Sequence, residues 1–192
     1  MGSEINLDKK YNIIYADPPW KYRDKRQNPD SDRPAKYGGI SYDVMDTKDI
    51  CNLPINRIAD ENCMLFMWVT FPNLQIGLDV IKAWGFDYRT LGFSWIKLNK
   101  KNEKPFFGIG YYTKSNCECC LIGVKGKPIV VDNTISSVLM TPRERHSKNP
   151  DIVRDKIVQL CGDLPRIELF ARERAEGWDA WGNDPALASE LG

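Results

Sequence analysis

Residues 63–69, Cys63-Met64-Leu65-Phe66-Met67-Trp68-Val69, are apolar without a break. A strand with one wet face alternates apolar with polar residues, and an amphipathic helix leaves polar gaps on each turn. An unbroken run this short therefore reads as a strand covered on both faces. Covering both faces takes helices above and below a sheet, and the flanking sequence supplies them. Pro72 to Trp84 sets Leu74, Leu78, Ile81 and Trp84 on one helical face and is followed by Gly85, a stop signal. Pro150 to Cys161 repeats the arrangement with Ile152, Val153, Ile157 and Leu160 ahead of Gly162. Thr47 is suited to cap a short helix running toward Leu53. Further strands are expected at Asn12–Ala16, Tyr88–Leu98, Cys117–Val124, near Ser137–Met140, and at Arg166–Ala171. Strands alternating with helices give an α/β fold with a mainly parallel sheet, and 192 residues suit a single domain spanning 1–192.

Ligands in open sheets of this kind bind beyond the C-terminal ends of the strands. Two long segments follow such ends, residues 20–46 and 99–116, and loops of that length in a compact domain usually signal function. Neither carries a Gly-x-Gly-x-x-Gly or Walker-type glycine run, which argues against dinucleotide oxidoreductases and nucleoside triphosphatases. Both are basic. Between Lys21 and Lys36, six basic residues (Lys21, Arg23, Lys25, Arg26, Arg33 and Lys36) meet three acids, and from Lys97 to Lys114, Lys97, Lys100, Lys101, Lys104 and Lys114 meet Glu103 alone. The net charge of +1 does not announce a nucleic-acid binder, and two solvated loops explain the basic runs equally well. Cys117, Cys119 and Cys120 lack the paired Cys-x-x-Cys units of a zinc site, and His146 is the one histidine, so packing along a strand is expected rather than metal binding. There is no apolar run of about eighteen residues and no secretion signal at Met1-Gly2-Ser3-Glu4. The expected location is cytoplasmic, or nuclear in a eukaryote.

Asp17-Pro18-Pro19-Trp20 comes directly after the first strand. Asp-Pro-Pro is also a common strand stop, and Trp20 also suits a core. As chemistry, the four residue types answer one problem. An adenine amine is a poor nucleophile because its lone pair is delocalised into the ring. Two acceptors on its two N–H groups favour a pyramidal, reactive nitrogen. Asp17 offers an acceptor-only carboxylate, and the Pro18 carbonyl offers a second acceptor on a backbone stiffened by Pro19. Trp20 offers a flat face for the base, worth ~1–3 kcal/mol. A paired base would have to be flipped into such a pocket. Alignment of amine, methyl and departing sulfur suffices, without a metal or a covalent intermediate.

The motif and the blocks around it resemble the MT-A70 family, which includes the catalytic subunit of the eukaryotic mRNA adenosine methyltransferase and many bacterial and phage enzymes. The blocks are Tyr42 to Met45, Leu65 to Thr70, Trp95-Ile96-Lys97, and Gly110 to Asn116 with Glu118 and Leu121 to Gly126. They continue with His146-Ser147, Pro150-Asp151, Glu168 to Arg172, Gly177-Trp178 and Gly182-Asn183, so the likeness runs from about Tyr11 to Asp184. The resemblance implies a Rossmann-like methyltransferase fold with a circularly permuted motif order, catalytic residues first and much of the cofactor site last. It implies S-adenosyl-L-methionine as cofactor, with Arg172, Asn183 and Asp184 at its ribose and adenine. His146, Ser147 and Lys148 would stand near its methionine end, and Asp17 beside its amino group. Tyr42, Trp68, Lys97 and Glu118 would line the mouth between cofactor and base, with Lys21 and Arg23 meeting the polymer. Asn149 stands where members often carry Lys.

The expected partner is nucleic acid, DNA in preference to RNA, because compact members are mostly prokaryotic or viral. A second copy or a partner subunit also occurs in the family. Alternatives remain open on sequence alone: an RNA N6-adenosine methyltransferase, a non-catalytic nucleic-acid-binding partner of the same fold, or transfer to cytosine amine or protein glutamine.

Overall fold

The computed structural model describes residues 5–21, 45–108, 110, 112–143 and 149–182. Strand β1 (Tyr11–Ala16) lies between two cores, with Ile14 and Ala16 entering one and Ile13 and Tyr15 the other. Strand β2 (Ala59–Val69) sends Leu65, Met67 and Val69 to the first core and Met64, Phe66 and Trp68 to the second. That two-sided burial is why residues 63–69 leave no polar position. The first face is covered by α1 (Thr47–Asn52), α2 (Ile55–Ile58) and α3 (Leu74–Ala83) through Ile50, Ile55, Ile58, Val80 and Ile81. The second is covered by α4 (Ile152–Cys161) through Val153, Ile157 and Cys161.

Strands β3 (Asp87–Leu98), β4 (Cys117–Lys125), β5 (Val138–Pro142), β6 (Arg166–Leu169) and β7 (Asp179–Trp181) complete a seven-stranded sheet of order β5-β3-β4-β2-β1-β6-β7. β1 is parallel to β2 and β6, β3 to β5, and β6 to β7. β4 alone runs against its neighbours β2 and β3. This is the α/β, Rossmann-like, mostly parallel sheet expected, and two consequences place the site. Because β4 is reversed, its first residues lie at the end of the sheet where the other strands finish. Because β1 pairs with β2 on one side and with the late strand β6 on the other, the strand order reverses at β1, where such sheets open a crevice. The late arrival of β6 and β7 beside β1 agrees with the permuted motif order.

Local chemistry moves several boundaries from those expected. Pro72 falls in a single 3-10 turn, Phe71–Asn73, and the α-helix proper begins at Leu74, where backbone donors can pair without interruption. Likewise α4 starts at Ile152, after Pro150. β2 begins earlier than the apolar run, at Ala59, because its half-exposed and exposed residues Asp60, Glu61 and Asn62 overhang solvent. Cys119 and Cys120, consecutive on β4, enter opposite cores, and the Cys119 thiol donates to the Val69 carbonyl at 3.2 Å. Among the described residues, no helix is long and apolar enough to cross a membrane.

Candidate active site

The chain leaves β1 into Asp17-Pro18-Pro19-Trp20, and the carbonyls of both prolines accept backbone hydrogen bonds. The Trp20 amide donates to the Pro18 carbonyl at 2.8 Å, and the Met45 amide donates to the Pro19 carbonyl at 3.1 Å. The Trp20 indole is buried and donates through Nε1 to the Trp68 carbonyl at 3.1 Å. Trp68, next to the end of β2, donates its own Nε1 to the Tyr15 hydroxyl at 2.7 Å. The two tryptophans thus fasten the end of β1 to the end of β2. A carbonyl oxygen has two lone pairs, so Pro18 keeps accepting capacity after binding the Trp20 amide.

Asp17, Pro18, Pro19 and Trp20 form one side of a pocket whose other walls include Trp68, Thr70, Glu118, Asn149 and Arg172. The reversed strand β4 brings in Glu118. It is ion-paired with Lys97 at the end of β3, and the Lys97 ammonium also lies 4.7 Å from the centre of the Trp95 ring. Arg172 arrives from β6 through Phe170, whose φ of +60° is a left-handed conformation seldom adopted by a bulky residue and found where a site constrains the chain. Asn149 donates through Nδ2 to one carboxylate oxygen of Asp17, Oδ2, at 2.8 Å.

The carboxylate of Asp17 is held away from its ordinary chemistry. Burial and the neighbouring negative charge of Glu118 push its pKa up to about 7. Arg172 and the Asn149 hydrogen bond pull the other way and Glu168 adds to the rise, so the pKa is a balance of opposed effects. A carboxyl poised near neutrality in a crevice is a functional-site signature.

Of the residues expected from sequence, the pocket gathers Asp17, Pro18, Pro19, Trp20, Trp68, Glu118 and Arg172. Lys97 reaches it through its pairing with Glu118. Lys21 is exposed and paired with Asp46 at 2.8 Å. Arg23, Tyr42, His146, Ser147, Lys148, Asn183 and Asp184 lie outside the described residues. Thr70 and the role of Asn149 escaped the sequence reading. Asn149 stood out there only as a departure from a family Lys, and nothing local points to a partner 132 positions away.

Residues 11–184 match the sequence pattern of the MT-A70 family. The chain belongs to the MT-A70 family. This MT-A70 chain is an adenine-N6 methyltransferase. It is 35% identical over 188 residues to the type II methyltransferase M.MunI of a Mycoplasma species, covering 91% of this chain and 77% of that protein. It is 27% identical over 184 residues to the human N(6)-adenosine-methyltransferase catalytic subunit METTL3, covering 94% of this chain and 29% of METTL3. An Arabidopsis thaliana N(6)-adenosine-methyltransferase MT-A70-like protein is 27% identical over 176 residues, covering 90% of this chain and 23% of that protein.

Proposed function

We propose that this MT-A70 chain transfers a methyl group from S-adenosyl-L-methionine to N6 of adenine in DNA. The observation that carries the mechanism is the Asp17–Asn149 hydrogen bond: it fixes one carboxylate oxygen and leaves the other, with the Pro18 carbonyl, as acceptors for the two amine hydrogens. The donor set also fits the cofactor. S-adenosyl-L-methionine is a cation with an ammonium, a carboxylate and ribose hydroxyls. The pocket is lined by the carboxylates of Asp17 and Glu118 and by the guanidinium of Arg172. Arg172 and Asp17 would hold it together with His146, Ser147, Lys148, Asn183 and Asp184. When bound, the cofactor supplies an electrophilic methyl group.

The protein's own part is positioning. Asp17 and Pro18 orient the amine, and the Trp20–Trp68 clamp keeps their spacing rigid, which is the pre-organisation such a transfer needs. DNA is favoured because M.MunI, of which this chain covers 77%, is a type II methyltransferase, the class that modifies DNA. The deciding experiment is a competition at fixed salt between DNA and RNA oligonucleotides of one sequence, each single- and double-stranded, with labelled methyl donor and nucleoside analysis. N6-methyladenine in the DNA arms is the expected product. Preferential labelling of RNA would move the substrate to RNA, and label in cytosine would overturn the base assignment.

The position of the Asp17 pKa gives a second test. The amine needs the carboxylate form, so kcat/KM is expected to rise with pH through about 7. Glu118→Gln removes the charge that, after burial, does most to raise this pKa. It also leaves the Lys97 ammonium unpaired nearby, which favours the carboxylate further. The acid limb of the pH profile is expected to move to lower pH in Glu118→Gln. A limb that stays in place would assign it to another group.

A further inference from the structure

A second cavity, about 480 Å³, opens beside the active site. Asn149 lines the first pocket and its chain neighbour Pro150 lines the second, so the two share a wall. Trp95, Lys100, Thr141, Arg143 and Asp151 are among the other residues that line the second cavity, with Pro142 and Ile152 as apolar wall. Neither Lys100 nor Arg143 has an ion-pair partner among the described residues, whereas Asp151 is bound to Arg154 at 2.7 Å. Two cations without an ion-pair partner among the described residues therefore line the cavity, beside one carboxylate that shares Arg154 with Glu168. Thr141 Oγ1 is buried without a hydrogen-bond partner among the described residues, as happens where a wall awaits a ligand or water.

The segment that supplies Lys100 is pinned by hydrogen bonds among its described residues. The Phe106 amide donates to the Lys97 carbonyl at 2.7 Å, and Gly108 and Ser115 exchange backbone hydrogen bonds at 3.0 and 3.2 Å. A Cβ on Gly108 would come within 2.3 Å of the Ser115 carbonyl oxygen, so glycine permits this closure. The Arg143 guanidinium stacks 3.7 Å from the Phe106 ring centre and ties the loop to the cavity rim. On the same segment Phe107, next to the Arg143-stacked Phe106, is 66% exposed, and Tyr112, between the paired Gly108 and Ser115, is fully exposed. Cations in a groove beside solvent-facing rings form the combination that grips single-stranded nucleic acid, phosphates on the cations and bases on the rings.

We infer that this groove and the loop over it bind the DNA strand flanking the target adenine, Lys100 and Arg143 taking backbone phosphates and Phe107 and Tyr112 stacking bases. The inference rests on the reading of the chain as a DNA methyltransferase and names where that substrate is held. The test uses full-length protein and a fluorescein-labelled thymidine-rich DNA strand carrying one adenine, with anisotropy measured across a salt series. Lys100→Gln with Arg143→Gln is expected to weaken binding and to flatten the log–log salt dependence by about 0.7 for each lost phosphate contact. Phe107→Ser with Tyr112→Ser is expected to weaken binding about 5-fold or more while leaving the salt slope unchanged. All four side chains are exposed and the Arg143–Phe106 stack is a single contact at the rim, so melting temperatures close to that of the wild type are expected and separate lost binding from lost folding. Wild-type binding and methylation, with either double variant binding as wild type does, would overturn this subsite alone. Wild-type protein that neither binds nor methylates the strand would overturn the functional reading and the subsite together.

Discussion

Asp17→Asn is expected to reduce methyl transfer by about 10²–10⁴-fold, the range for removing a positioned acid–base or charge-stabilising group. The amide would present a donor to the amine that the carboxylate accepts from, so one of the two acceptors is lost. The same substitution is expected to stabilise the folded protein. Asp17 carries a pKa near 7 when folded, against 3.8 for the unperturbed group. Below the lower value it is protonated in both states and makes no difference. Between the two, the folded chain keeps a proton that the unfolded chain has lost, so stability falls as pH rises through this window. Above about 7 the carboxylate is ionised against burial and the charge of Glu118, and its full cost is present. Asparagine does not titrate. Thermal denaturation of the two proteins should therefore diverge from pH 4 upward, the variant leading by about 1–2 kcal/mol at pH 8. Normal turnover by the variant would remove Asp17 from the mechanism. A variant less stable at pH 8 would mean that the Asp17–Asn149 bond outweighs the burial of the charge.

Most of the sheet was legible because its pattern is local. The central strands alternate between two apolar cores, so residues 63–69 declare themselves as a doubly covered strand and residues 12–16 as a strand. β7 did not, because its three residues Asp179–Trp181 are too short to show a period. α2, the single turn Ile55–Ile58, escaped for the same reason. At the site, Asp17 to Trp20 were legible as chemistry, since adjacent residues answered one requirement. Asn149 was not, because its meaning lies in a contact with Asp17 that only the crossing of α4 over the sheet creates. Lys97 and Glu118 were expected singly at the pocket mouth. Their pairing follows from the antiparallel register of β3 and β4, in which Trp95 stands opposite Glu118 and Ile96 opposite Cys117.

Arg154→Ala is expected to destabilise the protein by about 3–5 kcal/mol, the range for stranding a buried charge. Arg154 on α4 holds Glu168 on β6 through two parallel bonds, Nε to Oε2 at 2.6 Å and Nη2 to Oε1 at 3.1 Å, with side chains only 14% and 13% exposed. A bidentate fork of this kind fixes angle as well as distance. Burial pushes the Glu168 pKa up and Arg154 draws it back, so removing the guanidinium leaves a carboxylate with nothing to offset its desolvation. The pair also joins the two segments that complete the pocket. Asn149 lies just before α4, and Arg172 lies just after β6 beyond the left-handed Phe170. Replacing both charges with apolar residues, Arg154→Met with Glu168→Leu, is expected to recover most of the lost stability, since a buried ion pair seldom outperforms a packed apolar contact. Activity should not recover with it, because an apolar contact lacks the fork that sets α4 against β6. Urea denaturation midpoints of the single and double variants, read beside kcat and KM, separate these roles. A double variant as active as wild type would show that the pair contributes stability alone. A double variant as unstable as Arg154→Ala would show that the fork itself carries the fold at this junction.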